Sequence, residues 1–212
     1  MLKSGNFINI DTDIDSSVKL ASKIYFEGGV FIYPTDTIYG FGANPFNEES
    51  VNSVNEIKGR EAGKWYILLI NDINNLLKYV ELKSEKDMDF LISIWPNPVS
   101  VILNLNNKTK SILKRDTAAF RIPNNRFCQK LLSAIKMPLI STSVNKNNQA
   151  PLTEPSLIKD KFASEVKAVF YTDKKSFFDA STIIDLCDTK LKKVREGKIK
   201  FEALLAKYEV YK

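Results

Sequence analysis

The stretch Val30–Arg60, VFIYPTDTIYGFGANPFNEESVNSVNEIKGR, restricts the fold more than any other part of the chain. Val30-Phe31-Ile32-Tyr33 is short, apolar and rich in β formers, as a buried strand requires. Pro34 has no N–H to give and closes the ladder. Polar, tightly constrained sequence follows, first Thr35-Asp36-Thr37 and then Tyr39-Gly40-Phe41-Gly42. Two glycines two apart let the backbone bend sharply or approach a ligand closely. Asn47 is placed to cap a helix with Glu48 and Glu49 in its first turn and Val51, Val54 and Ile57 on its apolar side. That helix runs out into Lys58-Gly59-Arg60. A strand end carrying hydroxyls beside a helix end carrying cations suits a ligand site in an α/β sheet, where sites form beyond the carboxyl ends of strands.

The same grammar continues along the chain. Asp13 or Asp15 can cap a first helix with an Ile14, Val18, Ala21 and Tyr25 stripe, stopped at Gly28-Gly29. Trp65–Ile70, Val99–Leu105, Thr117–Ile122, Pro138–Thr142, Ala168–Tyr171, Ser181–Leu186 and Leu191–Arg195 read as further strands. Asn74–Val80 reads as a short helix, and Ser84 caps another whose Met88, Leu91, Ile92 and Trp95 face inward. The Asn106-Asn107-Lys108 cluster reads as a turn. Helices are expected after Pro123, at Leu157–Phe162 and at Phe201–Tyr208. About eight strands interleaved with about six helices predict an α/β chain rather than a bundle or a sandwich. One domain over residues 1–212, its motif-bearing part about 16–197, suits this length.

Composition narrows the chemistry. The chain has no histidine, which removes the Ser-His-Asp hydrolase, the usual zinc enzyme and the histidine acid–base catalyst together. Cations, hydroxyls, carboxylates or a bound metal ion must carry any reaction. A net charge of +6 favours anionic partners such as nucleotides or RNA, although lysine-rich surfaces give the same figure. No run reaches the roughly 18 apolar residues of a membrane span, and the N-terminus lacks an apolar signal core. Two isolated cysteines, Cys128 and Cys187, fit a reduced cytoplasmic setting.

Three motif matches fail. Asp11-Thr12-Asp13-Ile14-Asp15 mimics a calcium loop but has Ser16 where the turn glycine belongs. Gly59–Lys64 is one residue short of a phosphate loop and is followed by Trp65. Gly40-Phe41-Gly42 lacks the third glycine of a dinucleotide fingerprint. What remains is a set of polar residues at strand ends. Thr117, Ala119 and Arg121 share one strand face, opposite Ala118, Phe120 and Ile122. Thr35 pairs in parity with Thr37, and Ser141 with Ser143 and Asn145. Lys58, Arg60, Lys64, Arg121 and Arg195 together could offset a triphosphate.

PTDTIYGFGA followed by KGR closely resembles the signature of the YrdC/TsaC family, the L-threonylcarbamoyladenylate synthases that begin threonylcarbamoyladenosine formation in tRNA. WPNPVSVIL, TAAFRIPNN, STSVNKNNQAPLT, ASTIIDL and VREG are similar to later family segments and occur in the family's order. The resemblance implies a single-domain, twisted, open mixed α/β sheet around a large basic cavity with helices packed outside. It implies a nucleotidyltransferase using ATP, L-threonine and bicarbonate, with Mg2+ accompanying the nucleotide. By position it implies threonine contacts from Thr37, Arg121 and Ser181. ATP contacts would come from Arg60, Lys64, Thr117, Ser143, Asn145, Thr153 and Arg195. Lys58, Arg60 and Arg195 would stabilise charge during catalysis, with Ser141 and Tyr39 lining the same cavity. Further partners would be tRNA or double-stranded RNA and the downstream tRNA threonylcarbamoyl-transferase proteins.

The sequence departs from that pattern at several places. Asp36 replaces a glutamate, Asn97 replaces the glycine of P-G-P, and Glu61 and Trp65-Tyr66 alter the loop after K-x-R. Leu69 stands where some relatives place a threonine-contacting histidine. Two other readings are compatible with the residues. One is a non-catalytic RNA-binding domain; the other is an ATP-using paralogue with a different acceptor.

Overall fold

The computed structural model describes residues 6–59, 66–174, 179–188 and 190–211. In chain order the elements are β1 (Asn6–Asn9), α1 (Ile14–Phe26), β2 (Phe31–Tyr33), β3 (Gly40–Gly42), α2 (Glu48–Lys58), β4 (Ile67–Leu69), α3 (Ile73–Leu76), α4 (Glu85–Ile94) and β5 (Val99–Asn104). They continue with α5 (Asn107–Leu113), β6 (Thr117–Arg121), α6 (Arg126–Ile135), β7 (Leu139–Ser143), α7 (Pro155–Phe162), β8 (Ala168–Tyr171), β9 (Thr182–Asp185), β10 (Lys192–Arg195) and α8 (Phe201–Tyr211).

The strands form one open mixed sheet in the order β1-β8-β2-β3-β7-β4-β6-β5-β9-β10. β8 runs parallel to both β1 and β2, β4 to β6, and β5 to β9, while the remaining pairs are antiparallel. Period-two alternation sends neighbouring side chains to opposite faces. Phe31 and Tyr33 join the apolar cluster under α1 and α6, with Tyr25, Phe127, Leu131 and Phe170. Ile32 joins the cluster on the other face, with Phe41, Val54, Leu68, Phe90, Val101, Phe120 and Ile140.

The helix starts follow the capping residues. Asp13 accepts from the backbone N–H groups of Asp15 and Ser16, Asn47 from that of Ser50, and Ser84 from that of Asp87. Gly59 ends α2 in the left-handed conformation that glycine adopts at least cost.

Several expectations are corrected. Asn6–Asn9 is a strand, because its backbone pairs with the distant β8. Gly40–Gly42, expected as a bend or ligand approach, is the strand β3 between β2 and β7. There a Cβ on Gly42 would lie 2.7 Å from the Phe31 ring, so the glycine makes room for a core aromatic. The Asn106 cluster begins a helix, with the Asn106 side chain accepting from the Thr109 N–H. Ile92 faces solvent, while Phe90, Leu91 and Ile94 take the buried side of α4. Asn97 does not adopt a positive φ, so replacing a glycine there strains nothing.

Candidate functional site

Beyond α6, the face of the sheet that carries Leu69 and Leu139 turns polar and borders a cavity of about 400 Å³. Thr37 reaches it from the turn after β2, Arg121 from the end of β6, and Ser141 and Ser143 from β7. Ser181 comes from just before β9 and Arg195 from β10, with Ile67 and Ile183 as apolar wall. Tyr39 also lines it, its hydroxyl held by the Thr172 N–H at 3.2 Å.

The centre of the site is a buried guanidinium. Arg121, 2% exposed, donates through Nη1 to Thr37 Oγ1 at 3.0 Å, and its Nη2 lies 3.5 Å from Asp36 Oδ1. Asp36 in turn accepts from the Asn124 N–H through Oδ2. The Nε of Arg121 is buried with no hydrogen-bond partner. An arginine held on two sides by protein and bordering a cavity is positioned for an anionic ligand group.

Arg195 lies on the other side of Ser181. Its Nε and Nη2 donate to the Ser181 carbonyl at 3.3 and 2.8 Å, and Nη2 also meets Ser181 Oγ at 3.3 Å. Although Arg195 is open to solvent, partial desolvation and then the nearby Arg121 charge pull its pKa below the usual arginine value. Two cations close enough to repel each other across a cavity favour an anion between them. Ser181 is backed by Ser100, a fully buried hydroxyl 2.9 Å away in β5. Sequence reading missed Ser100, though a lone hydroxyl among Val99, Val101, Ile102 and Leu103 was its visible signal.

The segment carrying Ser181 is clamped from above. Thr182 Oγ1 accepts from the N–H groups of Gly197 and Ile199 and donates to the Ile199 carbonyl. A Cβ on Gly197 would stand 2.2 Å from the Ala180 carbonyl oxygen, so only glycine allows this close approach.

Other expected site residues lie elsewhere. Lys58 does not line the cavity. Its buried ammonium donates to the carbonyls of Ser143 and Asn145 and to Asn145 Oδ1, at 2.5, 3.1 and 2.8 Å. It therefore ties the β7 loop to the end of α2. Asn145 is outside the lining too, its Oδ1 accepting from Ser143 Oγ at 2.7 Å. Thr117 and Thr153 are half-buried and away from the lining, Thr117 lying four residues along β6 from Arg121, about 13 Å in a strand. Arg60 and Lys64 lie outside the described residues. Leu69 is fully buried in the apolar cluster under α6. The expectation of a large basic cavity is thus reduced, among the described residues, to a cavity of moderate size with Arg121 and Arg195 as its lining cations.

A larger cavity of about 540 Å³ lies on the other side of the Thr35-Asp36 turn. Its carboxylates are already engaged. Asp11 accepts from Thr172 Oγ1 and the Asp173 N–H, Asp13 caps α1, and Asp36 faces Arg121. Among the described residues, no group of acidic or thiol side chains is arranged to hold a metal ion.

Comparison with known proteins follows the same residues. The Sua5/YciO/YrdC family model, described as telomere recombination, matches residues 23–197. A threonylcarbamoyl-AMP synthase of Pseudoalteromonas translucida is 30% identical over 164 residues, covering 75% of this chain and 86% of that protein. The E. coli YciO structure superposes with a TM-score of 0.84 at 25% identity, covering 97% of this chain and all of that one. P. abyssi Sua5, solved with L-threonine, superposes at 0.85 and 23% identity. This chain spans 60% of that Sua5 chain's length. The chain belongs to the Sua5/YciO/YrdC family.

Proposed function

We propose that the protein is an L-threonylcarbamoyladenylate synthase, making threonylcarbamoyl-AMP and pyrophosphate from ATP, L-threonine and bicarbonate. The observation that carries this reading is the convergence of Thr37, Arg121, Ser181 and Arg195 from four separate segments on one cavity. Such a mixture of hydroxyls and arginines fits a small amino acid beside a phosphate chain.

The threonine amine attacks carbon dioxide supplied by bicarbonate and loses a proton, giving an N-carboxylate. One carboxylate oxygen then attacks the α-phosphorus of ATP; the P–O bond to the β-phosphate breaks, and pyrophosphate leaves with that electron pair. Displacement at phosphorus is served by positioning and charge neutralisation, so a chain without histidine is adequate. Arg121 takes the threonine carboxylate, with Thr37 and Ser181 beside it. Arg195 faces the phosphates, and the family pattern assigns Arg60 and Lys64, which lie outside the described residues, to the same group. Ser143 is placed to meet the nucleotide from the loop that Lys58 anchors, while Asn145, Thr117 and Thr153, which lie outside the cavity lining, are further contacts only by family position. ATP would enter as its magnesium complex, and the ion would supply further neutralisation of phosphate charge beside Arg195. The product is a mixed carbamic–phosphoric anhydride, so the enzyme that consumes it would transfer the threonylcarbamoyl group to a nucleophile, which the family reading takes to be a tRNA nucleoside.

The test is pyrophosphate release with threonine and bicarbonate omitted in turn. Release is expected only when ATP, threonine and bicarbonate are all present. Release without threonine would mean a different acceptor, and salt-sensitive RNA binding without release would mean a binding domain.

A further inference from the structure

The hydroxyl relay behind Arg121 has a fixed direction that follows from counting protons. Thr35 Oγ1 lies 2.7 Å from the Ile38 carbonyl oxygen and 2.9 Å from Thr37 Oγ1. Two oxygens at such distances need a proton between them. A carbonyl has none to give, so the Thr35 proton is committed to Ile38. The Thr37 proton is then committed to Thr35. Thr35 Oγ1 also accepts the Thr37 N–H at 3.0 Å, which fills its second lone pair. Thr37 Oγ1 has given its proton away and spends one lone pair on Arg121 Nη1. One lone pair remains, on an atom whose residue borders the cavity.

We propose that Thr35 is a positioning residue that makes Thr37 an obligate acceptor, and that the ligand group meeting Thr37 is the amine of the amino acid. This rests on the synthase reading above. A carboxylate or phosphate oxygen has no proton to offer and is repelled from Thr37. An amine N–H fits it, and the neighbouring Arg121, which lines the same cavity, fits a carboxylate. Amine and carboxylate sit on one carbon in an α-amino acid, matching an acceptor and a cation only 3.0 Å apart. A hydroxyl on the next carbon lies further from the carboxylate and fits the pair less well. The relay also excludes Thr37 as a base, since its oxygen would have to bind a second proton. It instead orients the amine so that the nitrogen lone pair stays free for carboxylation.

The test compares Thr35→Val, which keeps the shape and removes the hydroxyl, with Thr35→Ser, which keeps the hydroxyl. Thr35→Val should raise the threonine KM at least tenfold and leave the ATP KM within twofold, and Thr35→Ser should stay within threefold of the parent for both. Thr35→Ala serves as a second hydroxyl-free variant if the valine protein folds poorly. An unchanged threonine KM in the hydroxyl-free variants overturns the proposal. So does an equal rise in both KM values, or failure of serine to rescue, since either marks a general structural role. If the parent protein releases pyrophosphate without threonine, the functional reading itself falls and this assignment falls with it.

Discussion

Arg121 is the residue on which stability and recognition meet. Its side chain and that of Asp36 are 3% and 7% exposed, and removing one partner of such a pair leaves the other charge buried and uncompensated. Arg121→Ala is expected to cost about 3 kcal/mol of unfolding free energy, the lower end for buried pairs given the 3.5 Å separation. Threonine-dependent turnover should be lost as well. Adding Asp36→Asn should recover part of the stability and none of the turnover. Urea unfolding of the two proteins checks this; an unchanged midpoint in the single variant would contradict it. The cysteines make a prediction of opposite kind. Burial, reinforced by Asp36, drives the Cys128 thiol far up, and burial together with Asp185 pushes Cys187 up to about 12. Only the thiolate reacts, so alkylation of the folded protein at pH 7.5 should be far slower than that of a free thiol. For Cys187 the rate should climb as pH rises toward that value. Rapid labelling at neutral pH would contradict both placements.

At the scale of elements, alternation read from the sequence was dependable where local physics decides. Thr117, Ala119 and Arg121 do share a face, with Ala118 and Phe120 in the core behind them. Asp13, Asn47 and Ser84 do cap helices, because a cap is an interaction within one turn. β1 and β3 were missed because both are strands by virtue of distant partners, Ala168–Tyr171 and the two flanking strands β2 and β7. The tether from the Lys58 ammonium was invisible for the same reason: its acceptors are about 85 residues away in sequence. Gly197 marks where element packing controls the site. Gly197→Ala should force the turn after β10 off Ala180-Ser181, raising the threonine KM at least fivefold while stability falls by roughly 1–3 kcal/mol. Asn47→Ala should instead cost about 1 kcal/mol from the lost cap, with both KM values unchanged. Kinetics and thermal melts on the two variants separate the effects.

For the whole molecule, the decisive fact is that the cavity borders residues from opposite parts of the sheet order, from the β2–β3 turn to the outer strand β10. A ligand seated there bridges segments that otherwise touch only through intervening strands. ATP and threonine should therefore stabilise the fold together by mass action, each by about 2.7 kcal/mol at a hundred times its dissociation constant. Thermal melts with each ligand alone and with both check this; the absence of any shift would argue against a shared cavity. The sequence by itself determined the alternation of strands and helices, the capped helix starts and the exclusion of histidine chemistry. Those depend on residue type and near-neighbour spacing. Only the tertiary structure decided that Lys58 is a strut, that Ser100 backs Ser181, and that Thr35 fixes the direction of the Thr37 hydroxyl. A hydrogen bond's direction depends on every donor and acceptor within reach, and folding alone brings those groups together.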